Sequence, residues 1–332
     1  MQDRISDETE LIQAYLAPLA AAGALGLADD AALISVEPDS DLVVSTDPIR
    51  AGVHFFPDDE PHDIAWKALA VNVSDLIAKG AVPIGYTMAL ALPEAPLKSW
   101  MAAFSAGLGS AQAAFGCQLL GGDCDRADGP LSIAITAFGS VPRGCFVQRT
   151  TARVGDNVFV TGTIGDAALG LKLRQRPDVF GAALPPDHAH ALVQRYLRPA
   201  PNLKAIDIVR QFATAALDVS DGLIQDAARL ARGAKSALVI PAAAVPLSSA
   251  ALSVVEIHPA AIQTVVSGGD DFEVLFAVAP ETVPAMLAAA SACYLPVHLL
   301  GVLEHGDGVA LSDASGRPLA LKTTGYDHFR RV

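Results

Sequence analysis

The segments LVVST (residues 42–46), DIAWKALAVNVSDLIA (residues 63–78) and IGYTMALAL (residues 84–92) decide the fold class. The first and third are short, largely apolar runs, whereas the middle one is a long Ala-containing stretch without Gly or Pro. A strand, a helix and a second strand in this order predict an α/β fold, in which helices pack on a sheet.

The same alternation continues on both sides of these segments. In the first half we expect further helices over residues 7–17 and 97–115 and further strands over residues 32–36, 117–120 and 132–141. In the second half we expect strands over 157–161, 215–219, 237–240, 273–278 and 299–302, and helices over 202–212, 222–231 and 284–293. Another helix should begin at residue 165 or 166, and residues 172–190 are polar enough to form a variable connection.

The chain has 332 residues, which predicts two domains. Hydrophobic residues make up 52% and aromatic residues only 6%, so the cores should consist mainly of small aliphatic side chains. The segment 142–156 carries Arg143, Arg149 and Arg153 and is a suitable junction. We therefore expect an N-terminal domain over residues 1–148 and a C-terminal domain over residues 149–332.

The net charge of −13 disfavours binding to nucleic acids and to anionic membranes, because both are negatively charged. The uncharged runs 99–122 and 236–255 contain polar or Pro residues and do not predict membrane spans. The four cysteines show no CxxC spacing, and the N-terminus is polar rather than signal-like. These features predict a cytoplasmic protein with reduced thiols.

Aspartates recur beside apolar runs, often after small residues. Four of these groups follow apparent apolar strands: Asp47, Asp123, Asp218 with Asp221, and Asp270 with Asp271. Asp29 and Asp30 precede a predicted strand, and Asp75 lies in the predicted helix 63–78. A single Asp of this kind usually closes a turn or caps a helix. Six groups together favour a different interpretation, in which the carboxylates hold Mg²⁺ at one crevice and Mg²⁺ neutralises a polyphosphate.

Several signatures are absent from the sequence. There is no Gly-Lys pair for a phosphate-binding P-loop, no GxGxxG after a strand, no HExxH and no GxSxG. If the protein handles ATP, carboxylate-bound metal must therefore replace the P-loop. Considered alone, His54 is more often a packed or surface residue than a site residue, and Arg149 is as readily a solvated linker charge as a phosphate contact.

Several blocks, in order and over nearly the whole chain, resemble the thiamine-monophosphate kinase family. They are Asp29-Asp-Ala-Ala-Leu-Ile, Ser45-Thr-Asp47, Ala51-Gly-Val-His-Phe-Phe, Lys67-Ala-Leu-Ala-Val-Asn-Val-Ser-Asp75, Gly121-Gly-Asp123, Arg149, Asp218-Val-Ser-Asp-Gly-Leu, Ser267-Gly-Gly-Asp-Asp-Phe-Glu and Gly325-Tyr-Asp-His-Phe329. The resemblance implies the two-domain α/β fold shared with aminoimidazole ribonucleotide synthetase. In that fold the N-terminal sheets of two subunits pair into a barrel, so we also expect a homodimer.

The resemblance further implies that ATP phosphorylates thiamine monophosphate to thiamine diphosphate with the help of several Mg²⁺ ions. The implied metal ligands are Asp30, Ser45, Thr46, Asp47, Asp75, Asp123, Asp218 and Asp221. The implied ATP contacts are Gly122, Asp123, Arg149 and Ser220, and the implied substrate contacts are His54, Asp270 and Tyr326. No side chain is expected to act as an obligatory general base, because the acceptor phosphate is already ionised.

Three positions depart from the family pattern. Ala28 stands where the family usually has Gly, Asp270 replaces a Glu, and Tyr326 replaces a frequent Trp. Because Ala avoids positive φ, we expect a different loop conformation around Ala28. Asp270 has a shorter reach than Glu, and Tyr326 offers a smaller stacking surface.

Other functions remain as alternatives. Another ATP-using enzyme of the same superfamily is one; among these, selenophosphate synthetase usually has a Cys or selenocysteine near the N-terminus, whereas the first Cys here is Cys117. ATP-dependent ligation in purine synthesis is a second, which His54 and the closing Gly-Tyr-Asp-His-Phe disfavour. A non-catalytic scaffold that binds Mg-nucleotide is a third, and it would not need His54 or Tyr326.

Overall fold

The structure is a computed structural model that describes residues 3–181 and 183–326. The chain divides into two compact units. The first unit comprises Met1–Leu76 and Ala81–Cys145, and the second comprises Ile77–Gly80 and Phe146–Val332. Both units combine helices with a β-sheet, as the alternating sequence pattern predicts.

The first unit begins with helical turns and continues with a sheet and two long helices. Helix α1 (Glu8–Leu11) is capped by the Asp7 carboxylate, which accepts a hydrogen bond from the Glu10 N–H, and it continues into a π-turn at Ile12–Leu16. Short 3₁₀ turns follow at Ala17–Leu19 and Ala22–Leu27. The remaining elements are β1 (Ser40–Arg50), α2 (Pro61–Ala78), β2 (Val82–Leu92), α3 (Lys98–Phe115), β3 (Gln118–Arg126) and β4 (Ser132–Pro142).

The four strands of the first unit form one sheet in the order β1-β4-β2-β3. The β1–β4 and β2–β4 pairs are antiparallel, and the β2–β3 pair is parallel. Along β4, buried residues such as Ile133 and Ile135 alternate with half-buried ones. One face of the sheet is therefore buried in the core and the other is partly open, which is common where antiparallel pairing dominates.

Helices α2 and α3 supply much of the core of the first unit. Trp66 of α2 and Phe115 of α3 contact each other, with ring centroids 5.2 Å apart. Helix α3 ends at Gly116, which adopts a left-handed conformation and donates its N–H to the Gln112 carbonyl. Burial of Leu69, Phe104 and their neighbours then stabilises the helices against the sheet.

The second unit alternates strands with a larger number of helices. Its strands are β5 (Asn157–Thr161), β6 (Ala213–Asp218), β7 (Ser236–Pro241), β8 (Val274–Val278), β9 (Val297–His305) and β10 (Gly308–Ser312). Its helices are α4 (Asp166–Gln175), α5 (Pro177–Phe180), α6 (Pro186–Leu197), α7 (Ala205–Phe212), α8 (Leu223–Gly233), α9 (Ser249–Ile257), α10 (Ile262–Ser267) and α11 (Val283–Ala292).

The strands of the second unit form a sheet in the order β10-β7-β9-β5-β8-β6. The β10–β7 pair is parallel, and the other neighbours are antiparallel. Strand β8 is buried along its whole length, and its Leu275 and Ala277 join the main core cluster. As the composition predicts, that cluster consists of Ala, Val, Leu and Ile.

Several predicted elements differ from the structure. Residues 32–36 form no strand, so Asp29 and Asp30 precede an irregular segment rather than a strand. Asp47 and Asp123 lie inside β1 and β3 rather than after them, because both strands continue pairing, Asp47 opposite Ile135 and Asp123 opposite Ala89. The apolar run before Asp270 is helix α10 rather than a strand. Of the four expected strand ends, only the one at Asp218 is correct.

Other elements were not expected from the sequence. Helix α5 lies within the segment that we interpreted as a variable connection, α6 begins near the end of that segment, and α9, α10 and β10 were missed. These elements are short or carry Pro at their first residue, which hides their periodicity. No helix among the described residues has both the length and the apolar character needed to cross a membrane.

Candidate functional site

Helix α2 binds strand β1 through two polar contacts, and both involve predicted metal ligands. The Ser45 hydroxyl donates to the Asp75 carboxylate. The Asn72 side chain pairs with the backbone of Asp47: its Oδ1 accepts from the Asp47 N–H at 2.8 Å, and its Nδ2 donates to the Asp47 carbonyl at 3.3 Å. These contacts bring Asp75 beside the segment that carries Ser45 and Asp47, although Asp75 is distant from that segment in sequence.

His54 lies in the turn that follows β1. The turn is closed by the His54 N–H, which donates to the Arg50 carbonyl at 2.9 Å, and Gly52 supplies the left-handed conformation, with φ of 78°. The Arg50 N–H donates to Nδ1 of the His54 ring at 3.1 Å. Lys67 of α2 donates from Nζ to the His54 carbonyl at 2.9 Å. Both the ring and the backbone of His54 are therefore held in place.

A cavity of about 390 Å³ lies beside Gly121, Gly122 and Asp123. Asp29, Asp30 and Glu8 contribute further acidic groups to its wall, and the other lining residues are mostly apolar. The apolar part comprises Ile12, Leu16, Ala24, Leu27, Ala31, Ala32, Met88, Leu119 and Leu120. The lining thus combines apolar side chains with acidic groups, all of them from the first unit.

The N-terminal segment forms one wall of this cavity because it is hydrogen-bonded to β3. The Ala21 N–H donates to the Leu119 carbonyl at 2.7 Å. The same segment contains Ala28, which stands where the family usually has Gly. Ala28 has φ of −103°, and the left-handed conformations fall on the preceding Leu25, Gly26 and Leu27. The left-handed residues thus precede Ala28, and a difference from the loop conformation of the family stays a prediction.

Cys124 is the only cysteine among the residues that line this cavity. Burial, with added repulsion from Asp123, Glu8 and Asp125, raises the pKa of the Cys124 thiol to about 12. The thiol therefore stays protonated at neutral pH and is a poor nucleophile.

In the second unit, Asp218 is the last residue of β6, and the loop that follows carries Ser220 and Asp221. The buried carboxylate of Asp226, in the first turn of α8, accepts hydrogen bonds from the Ser220 N–H at 3.1 Å and the Asp221 N–H at 3.0 Å. Arg229 bridges the carboxylates of Asp226 and Asp221. Burial raises the pKa of Asp226 to about 6, although the positive charge of Arg229 opposes the shift.

The segment 268–273 packs on the same loop. The Asp270 N–H donates to the Ser220 carbonyl, and the Phe272 N–H donates to the Val219 carbonyl, both at 2.9 Å. Asp270 and Phe272 have φ of 71° and 52°. Asp is among the residues that tolerate this left-handed conformation best, so the Asp that replaces the family's Glu suits the backbone at this position.

Two buried carboxylates anchor the far end of this segment. Both oxygens of Asp271 accept from the Gly165 N–H, at 2.9 Å, and Glu273 accepts from the Thr161 hydroxyl at 2.6 Å and from Arg195 at 2.9 Å. Burial raises the pKa of Asp271 well above its usual range and also raises the pKa of Glu273. These groups hold the turn that presents Asp270.

Tyr326 is connected to the loop that carries Asp221. Its N–H donates to the Asp221 carbonyl at 2.9 Å, and its own carbonyl accepts from the Gln225 side chain at 2.8 Å. Tyr326 as a whole residue is 42% exposed. Asp327, His328 and Phe329, which complete the closing motif, lie outside the described residues.

The predicted site residues are therefore only partly brought together. Within the first unit, Ser45, Asp47 and Asp75 form one neighbourhood, and Asp30, Gly122 and Asp123 line one cavity. Thr46 is separate, because its side chain is on the opposite face of β1, where it donates to the Ile135 carbonyl. Within the second unit, Ser220, Asp221, Asp270 and Tyr326 are in one network, whereas Arg149 is exposed.

No three His, Cys, Asp or Glu side chains in the described part of the chain form a group that could hold a metal ion by themselves. Mg²⁺ does not require such a group, because it commonly binds one or two carboxylates together with water and substrate phosphate. The exposed carboxylates of Asp30 and Asp123 line the same cavity and are hard oxygen donors. This donor set fits Mg²⁺ accompanied by a phosphorylated ligand.

Sequence reasoning missed four residues that support the site. Lys67 and Asn72 were noted only as part of a block, and Asp226 and Arg229 were not singled out. A signal existed for the first two, since a Lys and an Asn within an otherwise apolar helix need hydrogen-bond partners. Asp226 resembles any acidic residue in the first turn of a helix, so its pattern carries no comparable signal.

Comparisons with known proteins place the chain in a family. Residues 28–141 match the family described as AIR synthase related protein, N-terminal domain, and residues 153–314 match the corresponding C-terminal domain. The thiamine-monophosphate kinase of Salmonella typhimurium is 38% identical over 305 residues, which cover 92% of this chain and 91% of that protein.

Solved structures agree with this relationship. The crystal structure of thiamine-monophosphate kinase from Stenotrophomonas maltophilia K279a is 36% identical, with a TM-score of 0.82, and the match covers 96% of this chain and all of that one. A structure described as AaThiL complexed with AMPPCP and TMP is 31% identical, with a TM-score of 0.76, and the match covers 91% of each chain. The resemblance seen in the sequence motifs is confirmed, and the chain belongs to the thiamine-monophosphate kinase family, with the two-domain AIR synthase-like fold.

Proposed function

We propose that this protein uses ATP to phosphorylate thiamine monophosphate to thiamine diphosphate. The observation that carries the proposal is 38% identity to a thiamine-monophosphate kinase over 92% of the chain. A relative described as bound to AMPPCP and TMP supports the pair of substrates, because AMPPCP is an analogue of ATP. The protein is accordingly an enzyme of the phosphotransferase class.

The N-terminal cavity is suited to a nucleotide with its metal. We assign ATP contacts to Gly122 and Asp123, and metal contacts to Asp30 and Asp123, because all three residues line this cavity. Ser45, Thr46, Asp47 and Asp75 are assigned as further metal ligands of the first unit. Bound Mg²⁺ would neutralise polyphosphate charge in a chain whose own net charge is −13.

The second unit contributes the remaining assigned contacts. Asp218 and Asp221 are assigned to metal, Ser220 and Arg149 to ATP, and Asp270 and Tyr326, together with His54 of the first unit, to thiamine monophosphate. Support comes from the hydrogen bonds that join Asp221, Ser220, Asp270 and Tyr326 into one network. Tyr326 is an exposed residue, and its ring is assigned as a stacking surface for an aromatic substrate.

The reaction needs positioning and charge stabilisation more than acid–base chemistry. An oxygen of the acceptor phosphate attacks the γ-phosphorus of ATP in line, a new P–O–P bond forms, and the bond to the leaving ADP breaks. The attacking oxygen is already ionised at neutral pH, so no proton has to be removed. No phosphoenzyme is formed, and no side chain is assigned as a general base.

The functional unit is proposed to be a homodimer in which the N-terminal sheets of two chains pair into a barrel. Support comes from the open face of the first sheet, where Leu42 and Val44 of the edge strand β1 are exposed. The reaction is proposed to take place in the cytoplasm, where ATP is available and where the four cysteines, none of which forms a disulfide, would stay reduced.

A coupled assay of ADP release tests the proposed function. The purified protein with ATP and MgCl₂ should release ADP at a rate that rises many-fold when thiamine monophosphate is added, with one thiamine diphosphate formed per ADP. ADP release without dependence on thiamine monophosphate would contradict the proposal, and it would favour another ATP-using enzyme of the superfamily. Nucleotide binding without any ADP release would favour the scaffold alternative.

A further inference from the structure

Two buried side chains of α2 contact predicted ligand residues but have no role in the function described above. Lys67 is 2% exposed and Asn72 is fully buried. Burial of an ammonium group or an amide is costly unless its hydrogen bonds are made. The hydrogen-bond partners of the two side chains therefore indicate what each one does. The partners of both include the backbone of residues to which substrate or metal binding is assigned.

Asn72 acts on Asp47 as a neighbouring strand would. Its Oδ1 accepts from the Asp47 N–H and its Nδ2 donates to the Asp47 carbonyl, which is the pattern of a hydrogen-bonded residue pair in a sheet. The same Nδ2 also donates to the Ala68 carbonyl at 3.0 Å, which fixes the orientation of the amide. The amide therefore has three hydrogen bonds and a single arrangement, and it fixes the backbone from which the Asp47 carboxylate projects.

Lys67 and the Arg50 N–H together determine how His54 is presented. Lys67 holds the His54 carbonyl, and the Arg50 N–H donates to Nδ1 of the ring. A backbone N–H can only donate, so Nδ1 must be an acceptor and the proton of the neutral ring must be on Nε2. His54 therefore presents an N–H donor at Nε2, which suits an anionic oxygen such as that of a phosphate.

We propose that Lys67 and Asn72 are positioning residues that set His54 as an Nε2–H donor for the acceptor phosphate and set Asp47 as a metal ligand. This inference rests on the proposed function, because it assigns thiamine monophosphate to His54. It goes beyond that function by naming the residues of α2 that act through His54 and Asp47, and by specifying the tautomer of the ring.

The variants Lys67→Met and Asn72→Leu test the inference, since each keeps roughly the same side-chain volume and removes the polar contact. Lys67→Met should raise KM for thiamine monophosphate about tenfold and leave KM for ATP within about twofold. Asn72→Leu should raise the Mg²⁺ concentration needed for half-maximal rate about tenfold, and should weaken Mn²⁺ binding to the nucleotide-free protein, measured by electron paramagnetic resonance, to a similar extent.

Gln112→Met is the matched control. Gln112 is also buried in the first unit, and its side chain donates to the Tyr86 hydroxyl at 3.0 Å, a contact in which no assigned residue takes part. This variant should lower the melting temperature yet leave both KM values and the Mg²⁺ dependence unchanged. If Lys67→Met and Asn72→Leu lose stability in the same way and keep wild-type KM values, Mg²⁺ dependence and Mn²⁺ binding, their role is structural and the inference is wrong.

A measurement without turnover separates this inference from the proposed function. Long-range ¹H–¹⁵N spectra of histidine-labelled protein at pH 8, with the His54 signal assigned from His54→Gln, should show the Nε2–H tautomer in the wild type and a mixture of tautomers in Lys67→Met. An Nδ1–H tautomer in the wild type would overturn the inference even if a variant did not fold. A wild-type protein that fails in the ADP-release assay but shows the Nε2–H tautomer would instead refute only the proposed substrate.

Discussion

At the scale of single residues, Gly122 shows how backbone geometry restricts the cavity wall. A Cβ atom at this position would lie 1.8 Å from the Met88 carbonyl oxygen, and the residue has φ of 152°. The register of β3 on β2 shifts between Tyr86 and Thr87, just before the Gly122–Met88 pair. Only glycine allows β3 to approach β2 this closely while its backbone lines the cavity.

Gly122→Ala should therefore destabilise the protein by about 2 kcal/mol or more and raise KM for ATP, because either Met88 or β3 must move. Gly121→Ala is the control, since a Cβ atom there would meet no atom within 4 Å. Its stability should change by less than about 0.5 kcal/mol. Thermal unfolding and ATP kinetics of the two variants check this prediction, and equal effects at both positions would contradict it.

Asp123 allows a test of metal binding at the same scale. Its side chain is exposed, so Asp123→Asn should leave the melting temperature nearly unchanged. Turnover at saturating ATP should nevertheless fall by about a hundredfold or more, because an amide is a weaker Mg²⁺ ligand than a carboxylate. Asp125→Asn, an exposed neighbour on β3, should keep near-normal turnover. Near-normal turnover in Asp123→Asn with Mg²⁺ would show that the metal assignment is wrong.

The predicted site residues stay a prediction, but part of their arrangement can be compared with the structure. Repeated Asp beside apolar runs indicated carboxylates that share a site, and Asp30 and Asp123 do line one cavity. The reach of a side chain and the conformation of its backbone were harder to predict. A shorter carboxylate at Asp270 raised a question of reach, but the left-handed backbone at this residue follows from hydrogen bonds with Ser220, which is distant in sequence.

At the scale of elements, long strands and helices could be predicted, but their ends could not. Helix α2 begins within two residues of the expected start and ends where expected, because its apolar pattern is long and unbroken. Strands β1 and β3 continue past the small residues that seemed to end them, because β4 and β2 still supply hydrogen-bond partners. Pairing of this kind depends on tertiary contacts, so no local signal in the sequence reveals it.

In the turn between α10 and β8 of the second unit, burial makes the charged form of the Asp271 carboxylate unfavourable. Asp271 is fully buried, and its raised pKa means that the folded protein disfavours its charged form. The contribution of Asp271 to stability is therefore most favourable at low pH, below its unfolded pKa. It declines as the pH rises through the unfolded and then the folded pKa, which is the opposite of a carboxylate in a surface ion pair.

Asp271→Asn isolates this effect, because Asn keeps an oxygen that can accept the Gly165 N–H and cannot ionise. The melting temperature of the variant relative to the wild type should increase from pH 4 to pH 8. Asp313→Asn is the opposite control, because hydrogen bonds with Ser315 and Arg317 lower the pKa of Asp313. The melting temperature of this variant relative to the wild type should therefore fall as the pH rises over the lower part of the same range. A relative melting temperature of Asp271→Asn that is independent of pH would contradict the argument.

At the scale of the whole molecule, the open face of the first sheet calls for an explanation. Alternate residues of β1 leave Leu42 and Val44 exposed, and β1 is also the edge of the sheet. An exposed edge strand with apolar side chains is a site of unwanted association unless a partner covers it. A second copy of the chain, placed against this face as proposed above, would bury these side chains and remove the exposed edge.

Val44→Asp should therefore convert the protein from twice the mass of the chain to a single chain in sedimentation equilibrium at micromolar concentration, because a charge buried in an apolar interface costs several kcal/mol. The matched control is Val239→Asp on β7 of the second unit, since Val239 is 49% exposed and Val44 is 54% exposed. Because the two residues are similarly exposed, the two substitutions should change the stability of the isolated chain by similar amounts. The sedimenting masses of the two variants should therefore differ only if β1 forms an interface. A wild-type protein that sediments as a single chain would show that no second copy covers this face. A Val44→Asp variant that remains dimeric would show that the dimer forms through another surface.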